Sequence, residues 1–364
     1  MSDSDQLNNL RQQIDQLDDQ LLQMINQRAS LAQKVADVKI ASGEDVCFYR
    51  PEREVSVLRR VMQNNQGPAT DEGVARIFRE IMSTCLALEK PLKVAFLGPE
   101  GTFTQQAAFQ HFGQAIQTSP LASIDAVFRE VSSGTSEYGI APVENSTEGV
   151  ITHTLDSFLK YPKVHICGEV VLPIHHNLIS QAKQISELDE LVSHEQSFAQ
   201  CRGWLDRYLP SVKRTKVASN GEAARLAAEN PEIGAIAGNI AARLYQVNIL
   251  EKNIEDEPDN TTRFLVIGTQ PVSSTGKDKT SLLLSTDNRP GSLYDMLEPF
   301  SRHAISMTKI ESRPSKQANW EYVFFLDIAG HQDDSVVATA LSDLSKTVKI
   351  CKVLGSYPTA VIGG

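Results

Sequence analysis

Three cations lie along one edge of a strongly periodic N-terminal segment. Leu7, Leu10, Ile14, Leu17, Leu21, Met24, Leu31, Val35 and Val38 advance in alternating steps of three and four, and Arg28 fills the one gap. With Leu7 at heptad position a, Arg28 also falls on a, while Arg11 and Lys39 fall on e, beside the seam. A lone cation in an apolar seam is costly without a paired anion, so Arg28 alone reads as a buried ion pair or a register-setting residue. Three cations on one edge predict instead a site for a small polyanion. A second group of polar residues, mostly without fixed charge, lies in the segments GPEGTFT (98–104), APVENSTEG (141–149), VSHEQSFAQC (192–201) and NTTRFLVIG (260–268). Taken singly, each reads as a tight turn or a capped loop. GPEGTFT has neither GxGxxG nor a GK[ST] ending, which excludes a nucleotide loop. The cysteines (Cys47, Cys85, Cys167, Cys201, Cys351) form no CxxC pair, and the histidines form no HxxxH, so neither a metal site nor a disulfide framework is expected.

The elements that must position these groups change character twice along the chain. Residues 5 to about 41 predict one helix roughly 55 Å long at 1.5 Å per residue, too long for a small domain to bury alone. Ser4 and Asp5 are candidate caps, and Ser42-Gly43 a stop. Further helices are expected from Pro51 to Asn64 and from Thr70-Asp71 to about Glu89. At Lys93 short apolar strand runs (KVAFLG, YGIAPV, VHICGEVVL, LVSH, GAIAG, FLVIG) begin to alternate with helical stretches, an α/β pattern. The segment GEVVLPIHHNLIS is expected to bridge two lobes. After the polar linker QPVSSTGKDK the order is β-α-β-β-α-β, a ferredoxin-like split motif. The predicted architecture is therefore multidomain: an all-α unit over 1–91, a two-lobed α/β unit over 92–269, and an α+β ferredoxin-like unit over 279–359.

Composition bounds the reading. The chain has 364 residues, 45 acidic and 35 basic side chains and a formal charge of −10. That balance excludes broad nucleic-acid binding. No apolar run approaches the roughly 20 residues of a membrane span, and the polar N-terminus has no secretory core. A cytoplasmic protein with reduced thiols is expected.

The pattern Arg11…Arg28…Lys39…PEREVSVLRR…IMSTCLALE resembles the all-helical chorismate mutases, over the whole first region. The resemblance implies an intertwined homodimer in which Arg28 and the partner subunit's Arg11 grip the carboxylates of chorismate. Lys39 would donate to the breaking ether oxygen, and Glu52 would orient the ring hydroxyl. At Glu89 some relatives carry an amide, so Glu89 is expected to work protonated, its pKa raised by burial.

The four α/β segments together resemble the signatures of prephenate dehydratase. That resemblance implies Thr262 as proton donor or polariser of the leaving hydroxyl. Substrate-binding roles fall to Asn145, Ser146, Ser193, Gln200 and Arg263, with Glu144 orienting others. SNGEAA (219–224) departs from a common Ser-Thr pair, and His194 reads equally as a core histidine. RPGSLYDML and ESRPSKQANWEYVFFLDI resemble the ligand-binding segments of ACT regulatory domains. Phenylalanine is the effector this implies, bound near Gly291, Ser292 and Leu293 and near Glu311, Ser312, Arg313 and Pro314. A helix N-terminus suits its carboxylate. No cofactor is implied. Two rivals stand beside this reading: a catalytically dead ligand sensor, and a mutase joined to a prephenate dehydrogenase. Intact Arg11, Arg28, Lys39, Glu52 and Thr262 oppose the first, and the missing nicotinamide fingerprint opposes the second.

Overall fold

The computed structural model describes residues 3–42, 48–287, 289–314 and 322–361. The first unit is three helices, α1 (Asp3–Ala41), α2 (Pro51–Asn64) and α3 (Asp71–Glu89). Pro51 stands in the first turn of α2, where its missing N–H costs nothing. Thr70 caps α3 by accepting from the Gly73 amide at 3.1 Å. Ser4 and Asp5 do not cap α1 but lie within its first turn, where Asp3 and Asp5 complement the helix dipole. Ser42 N–H closes onto the Val38 carbonyl, while Gly43 lies outside the described residues. Within this chain α1 buries only Ala36. Its apolar stripe, from Leu7 through Leu17 (57% exposed) to Val38, faces outward.

The middle unit opens with β1 (Lys93–Leu97), α4 (Phe103–Phe112), β2 (Gln117–Leu121), α5 (Ile124–Ser132), β3 (Tyr138–Asn145), β4 (Gly149–Val150), α6 (Thr152–Lys160) and β5 (His165–Pro173). The chain then crosses at 174–176 into a second lobe. That lobe holds β6 (Asn177–Ser180), β7 (Glu190–Ser193), α7 (Glu195–Gln200), α8 (Arg202–Tyr208), β8 (Lys213–Lys216), α9 (Asn220–Glu229), β9 (Ile233–Ala237), α10 (Asn239–Leu244) and β10 (Asn248–Glu251). It returns through 252–260 to β11 (Thr261–Gly268), which inserts antiparallel between β3 and β5. The sheet orders are β2-β1-β3-β11-β5, with β4 on β3, and β10-β6-β9-β7-β8. The expected bridge through His175-His176 is thus one of two crossings. Glu255, on the other crossing, binds both at 174–176: its carboxylate takes His175 Nδ1 at 2.7 Å and the His176 amide at 2.8 Å.

The last unit is β12 (Asp278–Thr286), α11 (Ser292–Arg302), β13 (Met307–Pro314), β14 (Tyr322–Ala329), α12 (Ser335–Leu344) and β15 (Ile350–Pro358), an antiparallel sheet ordered β13-β14-β12-β15. It does not hang from a loose tether. Leu283, Val323, Phe325, Leu354 and Tyr357 share one buried core with Ala141, Val143, Ile166 and Leu265 of the first lobe. Gly355 permits this approach, because a Cβ there would stand 2.1 Å from the Ile166 carbonyl oxygen. The preceding polar stretch is an ordered turn. Thr275 and Gly276 amides bind the Asp278 carboxylate, and Arg59 of α2 donates to Thr275 Oγ1 at 2.9 Å and the Lys277 carbonyl at 2.9 Å.

Candidate active sites

The helical unit holds a cavity of about 400 Å³ lined by Arg28 and Lys39 of α1, Glu89 at the end of α3, Arg53 of α2, Tyr49, and Phe112 from the middle unit. Three of the expected residues therefore converge on one space. Burial pushes the Glu89 carboxyl above its ordinary range, with Lys39 and Arg28 pulling it back down. Glu52 lines an adjoining hollow shared with Lys39, Arg50 and Arg53. Arg11 lies exposed on α1, seventeen residues from Arg28 and so about 25 Å along the axis.

The wall toward the middle unit is closed by paired and packed side chains. Arg79 of α3 pairs with Glu54 at 3.0 Å, both nearly buried, and donates to the Gln110 carbonyl at 2.8 Å. Tyr49 packs edge-on against Phe112 and Tyr138 and meets His111 Nε2 at 3.2 Å. Burial and then the nearby Arg79 charge lower His111 to about 3, so the ring stays neutral.

The second cluster sits where β3 ends and β11 begins, beside the cleft between the lobes. Thr262 and Asn145 are register partners on these neighbouring strands. The Asn145 amide donates to Thr262 Oγ1 at 2.8 Å and to Asn260 Oδ1 at 2.9 Å. Its carbonyl oxygen accepts from the Thr147 amide, Thr147 Oγ1 and the Glu148 amide. With both ends held, the Asn145 amide has one orientation. Thr262 Oγ1 is an acceptor in this bond, which leaves its own proton to be donated elsewhere. Ser146 accepts from the Thr261 amide at 2.9 Å and so ties the two strands together. A register shift between Arg263 and Phe264 marks a bulge beside this pair, a usual device for aiming a side chain.

Other expected contacts lie elsewhere. Ser193 is fully buried, donating to Asn220 Oδ1 and the Ile236 carbonyl at 3.1 Å each, so it braces β7 instead of facing a ligand. Gln200 spans the cleft: its carbonyl oxygen meets His176 Nε2 at 2.8 Å and its amide reaches Glu148 at 3.3 Å. Arg263 corrects the expectation most clearly. Adjacent strand residues point to opposite faces. Its guanidinium accordingly turns toward the C-terminal sheet, 2.8 Å from Glu169 and 2.7 Å from Asp327. Glu144 likewise turns away and pairs with Lys309 at 2.7 Å. His194 caps α7, accepting from the Gln196 amide.

Asn220 was missed by sequence reasoning; its Oδ1 accepts from Ser193, the His194 amide and Ser197. A signal was available, since Ser219-x-x-Glu222 is a capping box and places Asn220 at the first turn of α9. The next residue, Gly221, lies against the GPEGTFT loop, where a Cβ would stand 2.2 Å from the Glu100 carbonyl oxygen.

The two effector segments lie at the same end of the C-terminal sheet. Thr286 of β12 faces Tyr322 of β14, which faces Pro314 of β13. Gly291, with φ +83°, opens α11 ahead of Ser292 and Leu293. Glu311 and Ser312 follow Lys309 on β13, while Arg313 reaches back to Asp156 of α6 at 2.9 Å. The remainder of the resembling segment, 315–321, lies outside the described residues.

Family profiles match in three consecutive blocks: chorismate mutase type II over 10–90, prephenate dehydratase over 94–272, and the ACT domain over 280–346. The bifunctional chorismate mutase/prephenate dehydratase of Pseudomonas aeruginosa is 52% identical over 366 aligned positions, covering all of both chains. The chain belongs to the bifunctional chorismate mutase/prephenate dehydratase family. It is an enzyme with both activities, an isomerase followed by a carbon–oxygen lyase. A more distant bifunctional chorismate mutase/prephenate dehydratase, from Escherichia coli K12, is 30% identical over 96% of this chain and 95% of its own. The crystal structure of an Arthrobacter aurescens prephenate dehydratase in complex with L-Phe superposes with a TM-score of 0.67 at 32% identity, over 73% of this chain and 90% of that one. Among the described residues, no helix of this bifunctional enzyme is long and apolar enough to cross a membrane.

Proposed function

We propose that the helical cavity rearranges chorismate to prephenate and that the cleft at Thr262 turns prephenate into phenylpyruvate, with phenylalanine acting back through the C-terminal unit. The first step needs no nucleophile. The cavity holds the compact conformer by its carboxylates and stabilises charge on the breaking ether oxygen, the work of Arg28, Lys39 and protonated Glu89, with Glu52 on the ring hydroxyl. Arg11 cannot reach Arg28 along the same rod, so the partner subunit's Arg11 completes the site. The outward apolar stripe of α1 supports this homodimer, since each such side chain gains about 1.5–3 kcal/mol on full burial.

In the second step the ring carboxylate leaves as CO₂, and its electron pair enters the ring as the hydroxyl departs. That hydroxyl takes a proton and leaves as water, and aromatisation drives the reaction forward. Thr262 polarises the departing oxygen, and Asn145 aims it; this bond at 2.8 Å is the observation that carries the reading. Ser146 and Gln200 also present polar groups toward prephenate, while Asn145 acts through Thr262.

Phenylalanine binds at Gly291–Leu293 and Glu311–Pro314, its carboxylate on the N-terminus of α11. The alternating exposure of edge strand β13 supports a subunit contact nearby. Segments 1–91, 92–269 and 279–359 serve the three tasks, without a cofactor. The described cysteines, mostly buried and in no disulfide, support a cytoplasmic setting.

The test supplies chorismate alone and follows phenylpyruvate. Prephenate accumulating would leave only the mutase, and neither product would sink the reading. Subunit sharing has its own test. Arg11→Ala and Arg28→Ala chains, each inactive as mutase, should regain about a quarter of wild-type mutase activity when mixed and reassembled. No recovery would place Arg11 outside the site.

A further inference from the structure

The pair that aims at prephenate, Thr262 and Asn145, is followed on the opposite face of the same two strands by a second register pair, Arg263 and Glu144. Facing these across the domain seam is a third register pair, Lys309 and Asp327 on β13 and β14. The charges match crosswise: Arg263 Nη1 lies 2.7 Å from Asp327, and Lys309 Nζ 2.7 Å from Glu144. Glu169 and Lys279 extend the cluster, with Glu169 bound to Arg263 and to Lys279 at 2.8 Å each. Three acids and three bases thus close a seam of zero net charge. Tyr357 and Ser281 complete it, Arg263 Nη2 donating to the Tyr357 hydroxyl at 3.0 Å and Ser281 donating to Asp327 at 2.5 Å. Such a cluster is weak support for stability, because desolvation offsets most of the attraction, but it fixes one register.

We infer that this six-charge seam is a positioning device for the dehydratase reaction: Asp327 and Lys309 of the C-terminal sheet hold Arg263 and Glu144, and so hold Thr262 and Asn145 in aim. The inference rests on the assignment of the dehydratase site to Thr262. A strand residue cannot shift without moving its neighbours, and the bulge at Val143 of β3, next to Glu144, makes this the point where the β3–β11 ladder has slack to lose. Lys309 stands two residues before Glu311 on β13. A change at the effector segment therefore has a short path to the cleft, through directly paired groups and no intervening loop.

The test measures prephenate kinetics, chorismate kinetics and melting temperature on full-length Asp327→Asn, Lys309→Met, Arg263→Met and Arg263→Lys. Asp327 and Lys309 touch neither cavity, and the mutase reaction in the same chain reports on folding. The seam predicts that kcat on prephenate falls about ten- to a hundredfold in Asp327→Asn and Arg263→Met, the range expected when a reacting group is misplaced by about 1 Å. KM should stay within about twofold and mutase kcat should not change. Arg263→Lys should keep more activity than Arg263→Met, and Lys309→Met should blunt inhibition by phenylalanine. Unchanged prephenate kcat in Asp327→Asn would overturn the inference. So would a KM increase confined to the Arg263 variants, which would return Arg263 to substrate binding, or a parallel loss of mutase activity and melting temperature. A wild-type chain that makes no phenylpyruvate would instead remove the underlying site assignment.

Discussion

At the scale of single residues, function rests on where a proton is kept. A threonine hydroxyl is a poor acid, and in the proposed dehydratase step Thr262 relies on the Asn145 amide that occupies its acceptor side. Thr262→Val should lower dehydratase kcat by about 10²–10⁴, the span of a lost general acid, with mutase kcat unchanged. Asn145→Ala should lose less than Thr262→Val but more than tenfold, because the hydroxyl remains and only its aim is lost; parallel stopped assays on both substrates decide this. Glu89 makes the converse case. Its carboxyl is raised from 4.5 by burial, against the opposing pull of Lys39 and Arg28. The protonated form is the one that can donate to an ether oxygen, so mutase activity should be full below the raised pKa and fall as pH rises through it. Glu89→Gln should abolish that descending limb. A limb of the same shape in the variant would assign it to another group.

Among the elements, a close contact joins the two lobes of the middle unit. The start of α9 meets the 98–104 loop so closely that only glycine fits at 221. Gly221→Ala should hold the lobes apart and cut dehydratase kcat/KM by about ten- to a hundredfold, with mutase kinetics serving as the internal control. An unchanged kcat/KM would mean that the lobes need not approach this closely. The bulge at Val143, opposite the step from Arg263 to Phe264, could not be read from APVENSTEG, because an alternating strand pattern does not reveal a skipped partner. The expectation placed Thr262 and Arg263 at one site, although strand alternation turns neighbours to opposite faces. What alternation could not show was that a third sheet waits on the Arg263 side.

For the whole molecule, the three units share surfaces that separate domains would lack. Phe112 of the dehydratase unit lines the mutase cavity, and Arg59 of the mutase unit holds the turn leading into β12. The C-terminal sheet shares a core with the first lobe. Feedback through such a body requires that phenylalanine bind one arrangement more tightly than another. Saturating phenylalanine should therefore suppress phenylpyruvate formation from prephenate. By reciprocity, a saturating prephenate analogue should weaken phenylalanine binding, measured by titration calorimetry. Equal affinity with and without the analogue would break the link.

Much of this protein was legible as sequence. The steps of three and four placed α1 and put Arg28 and Lys39 on its edge, and the β-α-β-β-α-β order placed the last unit. These are local properties, set by periodicity and turn chemistry. The net charge of −10 describes the solvated surface and says nothing of the helical cavity, which Arg28, Lys39 and Arg53 line. Only the tertiary structure decided that Asn145 donates to Thr262, that Ser193 is held by Asn220, and that Arg263 pairs with Asp327. Each of those pairings joins residues between 27 and 117 positions apart. Which of many compatible polar groups becomes a partner at that separation is set by how the sheets stack, and sheet stacking is a property of the packed core.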